Sequence, residues 1–201
     1  PPPSAVGQLK AITFEAGSLV NATNGLDAVR GVASLETAAP LKGWFSARVA
    51  GEVYLEEKFS ASDDLYVSLY IRIGALPVAD TRIVQISNAG DTVGNIVLRT
   101  NGRLRLRIDG KTVGAESQSL VPGQLYRIGI HQRSGTGADA VLEAFVASAS
   151  TPFGAAFSSA TTGVWTTRAD RLRLGATTSS VVDLVVDDVV LNTGSMPGAS
   201  Q

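Results

Sequence analysis

The segment from Leu65 to Ile73 constrains the fold more than any other part of the chain. Leucine, valine or isoleucine occupies every second position of this segment, and the positions between hold Tyr66, Ser68, Tyr70 and Arg72. A period of two is typical of a β-strand with one buried face and one face open to solvent or to a ligand. No segment shows a helical period long enough for a crossover between parallel strands, which argues against an α/β fold.

Two turn signals extend the strand pattern into a meander. Asn101-Gly102 separates the apolar-alternating runs 95–100 and 103–109, and Asp109-Gly110 repeats the signal eight residues later. Such pairs favour tight hairpins because both residues tolerate a positive φ. Further strands are predicted at 53–59, 65–73, 82–87, 124–132, 141–147, 171–175 and 181–191. Ten to twelve strands at this spacing predict an all-β, antiparallel two-sheet β-sandwich.

The sequence predicts one domain with a short extension at each end. Its 201 residues suit a single domain of ordinary size. We predict a proline-rich leader over residues 1–8, a single sandwich domain over 9–192 and a linker-like tail over 193–201. Within the domain, residues 18–43 predict a long loop with one or two short strands.

Composition removes several classes of function. The chain has no cysteine and one histidine, which excludes disulfides, zinc–thiolate sites, cysteine nucleophiles and histidine-rich metal sites. A net charge of -1 gives no sign of nucleic-acid binding. No run of about 18 apolar residues is present, so we expect no membrane insertion.

Several short motifs, taken in order, carry a resemblance to a known superfamily. They are Phe14-Glu15-Ala16-Gly17, the segment 54–59, Asn101-Gly102 with 103–106, the segment 123–128, 172–175 and 186–191. In this order the chain resembles the concanavalin A-like lectin/glucanase superfamily, in its laminin G-like form from bacteria or phages. The resemblance implies a jelly roll that acts as a glycan-binding or adhesive module, or as a phage virion protein.

We expect the chain not to be an enzyme. Glycosidases of the superfamily resemble one another in a Glu-x-Asp-x-x-Glu strand, which this sequence lacks. Glu52 and Glu56 would share a strand face ~13 Å apart, too far for a retaining pair, with Glu57 on the other face. We interpret these three as solvated surface carboxylates. His131 is interpreted as a lone surface histidine, because no Gly-x-Ser-x-Gly elbow accompanies it.

The resemblance also implies a structural calcium ion. In similar jelly-roll modules the first and last strands are neighbours that often share one, which marks Glu15 and Asp188 as candidate ligands, with Asp187 beside them. The alternative is that these carboxylates pair with arginine or with backbone N–H groups, since a carboxylate in an apolar strand needs a partner.

Candidate ligand-binding residues are aromatic or cationic. Tyr66, Tyr70 and Arg72 share one predicted strand face, and Trp44 and Trp165 follow glycine-containing segments. Aromatic faces suit sugar rings, although such side chains also fill sheet edges and cores. Separately, four arginines near one hairpin could hold sulfate, uronate or phosphate groups, or form a solvent-facing surface: Arg99, Arg103, Arg105 and Arg107.

Two functional hypotheses follow. The first is a non-catalytic carbohydrate-binding or adhesion module, extracellular or at the cell surface, with polysaccharide or glycan held on a concave sheet. The second is a structural protein, such as a virion decoration or tail component, whose partners are neighbouring subunits. Aromatic residues make up only 6% of the chain, which favours the second hypothesis.

Overall fold

The computed structural model describes residues 7–88, 91–108, 110–161, 163–176 and 181–200, without the side chains of residues 91, 164 and 165. None of these residues is helical, and none of them forms a helix that could cross a membrane. The strands are, in chain order, β1 Gln8–Ile12, β2 Ala28–Arg30, β3 Ala33–Glu36, β4 Ser46–Gly51, β5 Tyr54–Ser62, β6 Asp64–Ala75, β7 Thr81–Asn88, β8 Asp91–Leu98, β9 Leu104–Ile108, β10 Lys111–Glu116, β11 Leu125–Arg133, β12 Gly135–Gly137, β13 Val141–Ser148, β14 Ser158–Ala160, β15 Gly163–Trp165, β16 Ala169–Gly175 and β17 Val182–Asn192.

The strands form two large antiparallel sheets, and the all-β sandwich prediction is confirmed. One sheet has eight strands in the spatial order β14, β13, β11, β6, β17, β4, β3, with β1 paired to β17. The other has seven, in the order β10, β9, β8, β7, β16, β5, β2. A separate pair joins β12 to β15. The long loop predicted over residues 18–43 contains the two short strands β2 and β3.

The core lies between the two sheets and is formed by the alternating apolar side chains. In β6 the five apolar residues from Leu65 to Ile73 are at most 1% exposed. Burial of each such side chain stabilises the fold by ~1.5–3 kcal/mol. Gly102 and Gly110 adopt φ values of 80° and 74° in the β8–β9 and β9–β10 hairpins, as the turn signals predict.

The acidic residues of β5 differ from their predicted environment. Glu56 and Glu57 are each 3% exposed, so the interpretation as solvated surface carboxylates is wrong for both. Glu56 bonds the guanidinium of Arg173 at 2.7 Å, and Glu57 pairs with the ammonium of Lys10 at 3.1 Å. These cations compensate the cost of burying a carboxylate, and sequence alone cannot show that they are near.

Candidate functional site

The outward face of the eight-stranded sheet carries several of the residues singled out from the sequence. β6 lies between β11 and β17, so Tyr66, Tyr70 and Arg72 are near the middle of this face. Two segments lie over the face. The ring of Phe153 and the thioether end of Met196 both approach Gly129 of β11, where a Cβ atom would meet them at 3.0 and 3.1 Å.

Tyr70 lies underneath this cover. It is 2% exposed, the ammonium of Lys42 lies 4.7 Å from its ring centre, and its hydroxyl is 3.4 Å from the carbonyl oxygen of Ser200. Burial alone would raise the pKa of Tyr70, but hydrogen bonds with Ser150 and Ser200 and the charges of Lys42 and Arg127 lower it overall. The side chain therefore lies in a polar environment that the C-terminal segment closes.

Arg127 occupies the strand position opposite Tyr70. It is 1% exposed, and its guanidinium carbon lies 3.9 Å above the ring centre of Phe153. Its Nε and one terminal nitrogen are buried without a hydrogen-bond partner among the described residues. A buried guanidinium with unused N–H groups can donate hydrogen bonds to an anionic or hydroxyl oxygen.

Tyr66 is half-buried and stacks on His131. The two ring centres are 4.0 Å apart and the planes differ by 6°. The imidazole Nε2 lies 2.7 Å from Asp64 and the Nδ1 lies 3.1 Å from Glu143, so only a protonated ring donates to both carboxylates. His131 is 7% exposed, which makes the interpretation as a surface histidine wrong.

Trp44 projects from a segment that two carboxylates hold in place. Its side chain is 79% exposed, whereas its backbone N–H donates to Glu15 at 3.0 Å and the next N–H, of Phe45, donates to the same carboxylate at 3.2 Å. Asp187 fixes the flanks of the segment, because it accepts from the Lys42 N–H at 3.1 Å and from the Ser46 hydroxyl at 2.7 Å. The exposed indole is thus attached to a backbone segment that hydrogen bonds to Glu15 and Asp187 hold in place.

Asp187 and Asp188 occupy a bulge in β17. The pairing with β6 shifts between Asp187 and Val190, and Asp188 adopts a φ of 42°. Asp187 is fully buried, and this burial raises its pKa to about 7 although Ser46 and two backbone N–H groups donate to it. The neighbouring charge of Asp188 contributes to the same shift.

Two of the three predicted calcium ligands, Glu15 and Asp187, are therefore engaged with the protein itself. The carboxylates of Glu15 and Asp187 bind N–H or O–H donors through all four oxygens. Calcium takes six to eight oxygen ligands, and the described residues form no group of three or more metal-ligating side chains. Calcium binding stays a prediction.

Arg72 and Trp165 are the two remaining candidates for ligand binding. Arg72 donates to the carbonyl oxygen of Ala39 at 2.6 Å. The side chain of Trp165 lies outside the described residues, but its backbone pairs with Gly135 in the small β12–β15 sheet. The sequence did not single out Lys42 or Arg127, since each acquires its role through contacts with residues distant in the chain.

Solved structures with the same architecture include both binding proteins and enzymes. No family model and no curated protein matches the chain in sequence. A cellulose-induced protein, Cip1, is 16% identical with a TM-score of 0.66, over 94% of this chain and 99% of that one. An endo-β-1,4-glucuronan lyase from the fungus Trichoderma reesei is 12% identical with a TM-score of 0.58, over 85% and 92%.

A third similar structure belongs to a larger protein. A botulinum neurotoxin type C structure, described as depending on two ganglioside molecules for cell entry, is 10% identical with a TM-score of 0.67. It is matched over 96% of this chain and 49% of its own. At identities this low the likenesses establish the fold alone, a jelly-roll β-sandwich.

Proposed function

We propose that the chain is a non-catalytic carbohydrate-binding module, working outside the cell, that holds a glycan at the edge of the outward face of the eight-stranded sheet. The observation that carries the proposal is Trp44, whose indole is 79% exposed on a backbone fixed by Glu15. A large apolar ring held in water loses little conformational freedom on binding and offers a flat surface to the C–H face of a pyranose ring.

Polar groups for sugar hydroxyls lie in the same region. The ammonium of Lys42, two residues before Trp44, donates to the hydroxyl of exposed Ser150 at 2.8 Å. A few such groups beside an aromatic surface are the usual composition of a sugar site. The described ganglioside dependence of one structural neighbour and the cellulose induction named for another are consistent with a carbohydrate ligand.

The carboxylates of the outward face support binding without catalysis. Asp64 and Glu143 contact the two different ring nitrogens of His131 there, at 2.7 and 3.1 Å. The imidazole lies between the two carboxylates, whereas a glycosidase pair must flank the glycosidic bond of its substrate. Glu56 and Glu57 are held in buried ion pairs on the other sheet.

Affinity electrophoresis in gels that contain soluble polysaccharides tests the binding role of Trp44. For any polysaccharide that retards the parent chain, we expect Trp44→Ala to weaken binding roughly tenfold and Trp44→Phe to weaken it less. Val32→Ala is the matched control, because Val32 is an apolar side chain that is 87% exposed outside this segment.

Two outcomes would contradict the proposal. Equal retardation of Trp44→Ala and the parent would remove Trp44 from the site. Formation of new reducing or unsaturated chain ends on incubation with the bound polysaccharide would show an enzyme rather than a binding module.

Calcium is tested in the same preparation. A melting temperature that is lower with chelator than with calcium would support a cation beside Glu15 and Asp188. Equal melting temperatures are expected if the backbone N–H groups of Trp44 and Phe45 satisfy the Glu15 carboxylate without a cation.

A further inference from the structure

A row of polar side chains crosses the outward face of the seven-stranded sheet, opposite the site proposed above. Paired residues of neighbouring antiparallel strands share a face, and the register joins five such residues in sequence across β9, β8, β7, β16 and β5. They are Arg107, Asn95, Gln85, Arg173 and Glu56. In the adjacent row, Val97 of β8 pairs with Arg82 on one side and Arg105 on the other.

Some of the cations on and beside this face are neutralised within the chain. Arg99 and Arg105 both bond Glu116, at 2.9 and 2.7 Å, and both approach Asp80. Arg173 bonds Glu56 at 2.7 Å. The arginine stripe predicted from the sequence is therefore half occupied by internal ion pairs.

Arg82 and Arg107 differ from these arginines. Among the described residues, no carboxylate lies within ion-pair distance of either one, and Arg107 donates only to the carbonyl oxygen of Gly110. Burial, and secondly the positive charge of Arg107, lower the pKa of Arg82. Two like charges brought together in a partly buried position destabilise the fold unless an anion joins them.

The polar atoms around this pair also lack partners. The Nε of Arg107 and the amide oxygen of Asn95 are buried without a hydrogen bond among the described residues, and Asn95 is 3% exposed although it faces outward. A second pair of positive charges, Arg171 and Lys58, occupies paired positions on β16 and β5, and the Nε of Arg171 is likewise unpartnered. From β9 to β16 is three strand spacings, ~14 Å.

We propose that this face binds an anionic polysaccharide, whose sulfate or carboxylate groups bridge Arg82 with Arg107 and Arg171 with Lys58. Guanidinium groups bind such oxyanions through two parallel hydrogen bonds, and one extended polyanion spans both pairs. A single-stranded nucleic acid fits less well, since it needs exposed aromatic faces and the ring of Tyr54 on this sheet lies 5.0 Å below the Arg173 guanidinium.

Titration of the chain with dextran sulfate, polygalacturonate and uncharged dextran at low salt tests this site. We expect one or both polyanions to bind, dextran not to bind, and added salt to weaken the binding. Arg82→Gln and Arg107→Gln should each weaken it about tenfold, since a hydrogen bond to a charged group is lost. Binding of dextran sulfate alone would indicate sulfate recognition, and binding of polygalacturonate alone would indicate carboxylate recognition.

Arg103→Gln is the matched control. Arg103 precedes β9 on the same hairpin and is exposed, and its guanidinium donates to the carbonyl oxygen of Ser117. The substitution Arg103→Gln changes the net charge by the same amount as Arg82→Gln or Arg107→Gln. An equal loss of polyanion affinity in all three variants would show that only the overall charge matters, and it would overturn the proposal. Trp44→Ala should leave polyanion binding unchanged, which separates this site from the first.

Two further outcomes would overturn the proposal. One is a parent chain that binds neither polyanion. The other is single-stranded DNA that displaces dextran sulfate with equal affinity.

In the absence of polymer, Arg82→Gln should melt no lower than the parent, because the substitution relieves repulsion between two cations. A clear drop in its melting temperature would show that the chain itself neutralises the pair, which would also overturn the proposal.

Discussion

At the scale of single residues, Asp187 connects the Trp44 segment to the last strand. It is fully buried, and it accepts hydrogen bonds from Ser46 and from the N–H groups of Lys42 and Asp188. Its raised pKa of about 7 means that the folded chain binds this proton more tightly than the unfolded chain, where an aspartate titrates near 3.8. The ionised form is thus the less favourable one in the fold.

The linkage predicts a stability that falls with pH. Between pH ~4 and ~7 the folded state holds a proton that the unfolded state has released, so the free energy of unfolding decreases as pH rises and levels off above ~7. The decrease is up to about 4 kcal/mol. Asp187→Asn cannot ionise, so its stability should fall less over this range than that of the parent. Chemical denaturation of both chains at pH 5, 6, 7 and 8, with parallel curves as the contradicting result, measures this.

At the scale of elements, the strands could be predicted from sequence because their signals are local. The alternation in β6 and the Asn101-Gly102 turn involve neighbouring residues, so no knowledge of the register was needed. Predicting the contacts of the candidate site would have required the strand register and the packing of the loops. His131 meets Tyr66 only through the register of β11 on β6, across 65 residues of chain, and Lys42 meets Tyr70 through the packing of a loop on the sheet. A sequence pattern gives a side chain's face but not its partner on the next strand.

Another element whose role depends on the register is the cover over β11. Gly129 leaves room there for Phe153, whose ring is fixed by Arg127 on one side and lies 5.8 Å from the ring of Phe145. Sequence alone could not assign this glycine a role, because Phe153 and Met196 come from other segments of the chain.

Gly129→Ala should loosen this cover. The added methyl group would lie 3.0 Å from Phe153 and 3.1 Å from Met196, and such overpacking costs about 1 kcal/mol or more. We expect the melting temperature to fall by about 2–4 °C. Gly154→Ala is the control, since a Cβ there meets nothing within 4 Å, and it should melt at or above the parent temperature. An unchanged melting temperature for Gly129→Ala would show that the cover packs loosely.

At the scale of the whole molecule, the two outward faces differ in their chemistry. The eight-stranded sheet is covered by the segments that carry Phe153 and Met196, and Trp44 stands exposed beside it. The seven-stranded sheet exposes cations that the chain leaves unneutralised among its described residues. The net charge of -1 conceals this separation, because it averages the basic face with acidic residues elsewhere.

The most direct test of the central claim is a glycan array probed with the unmodified chain and with Trp44→Ala side by side. We predict that the parent binds at least one class of glycan and that Trp44→Ala loses the uncharged members of that class while it keeps binding to sulfated or uronate glycans. A parent chain that binds no glycan of any class would contradict the account.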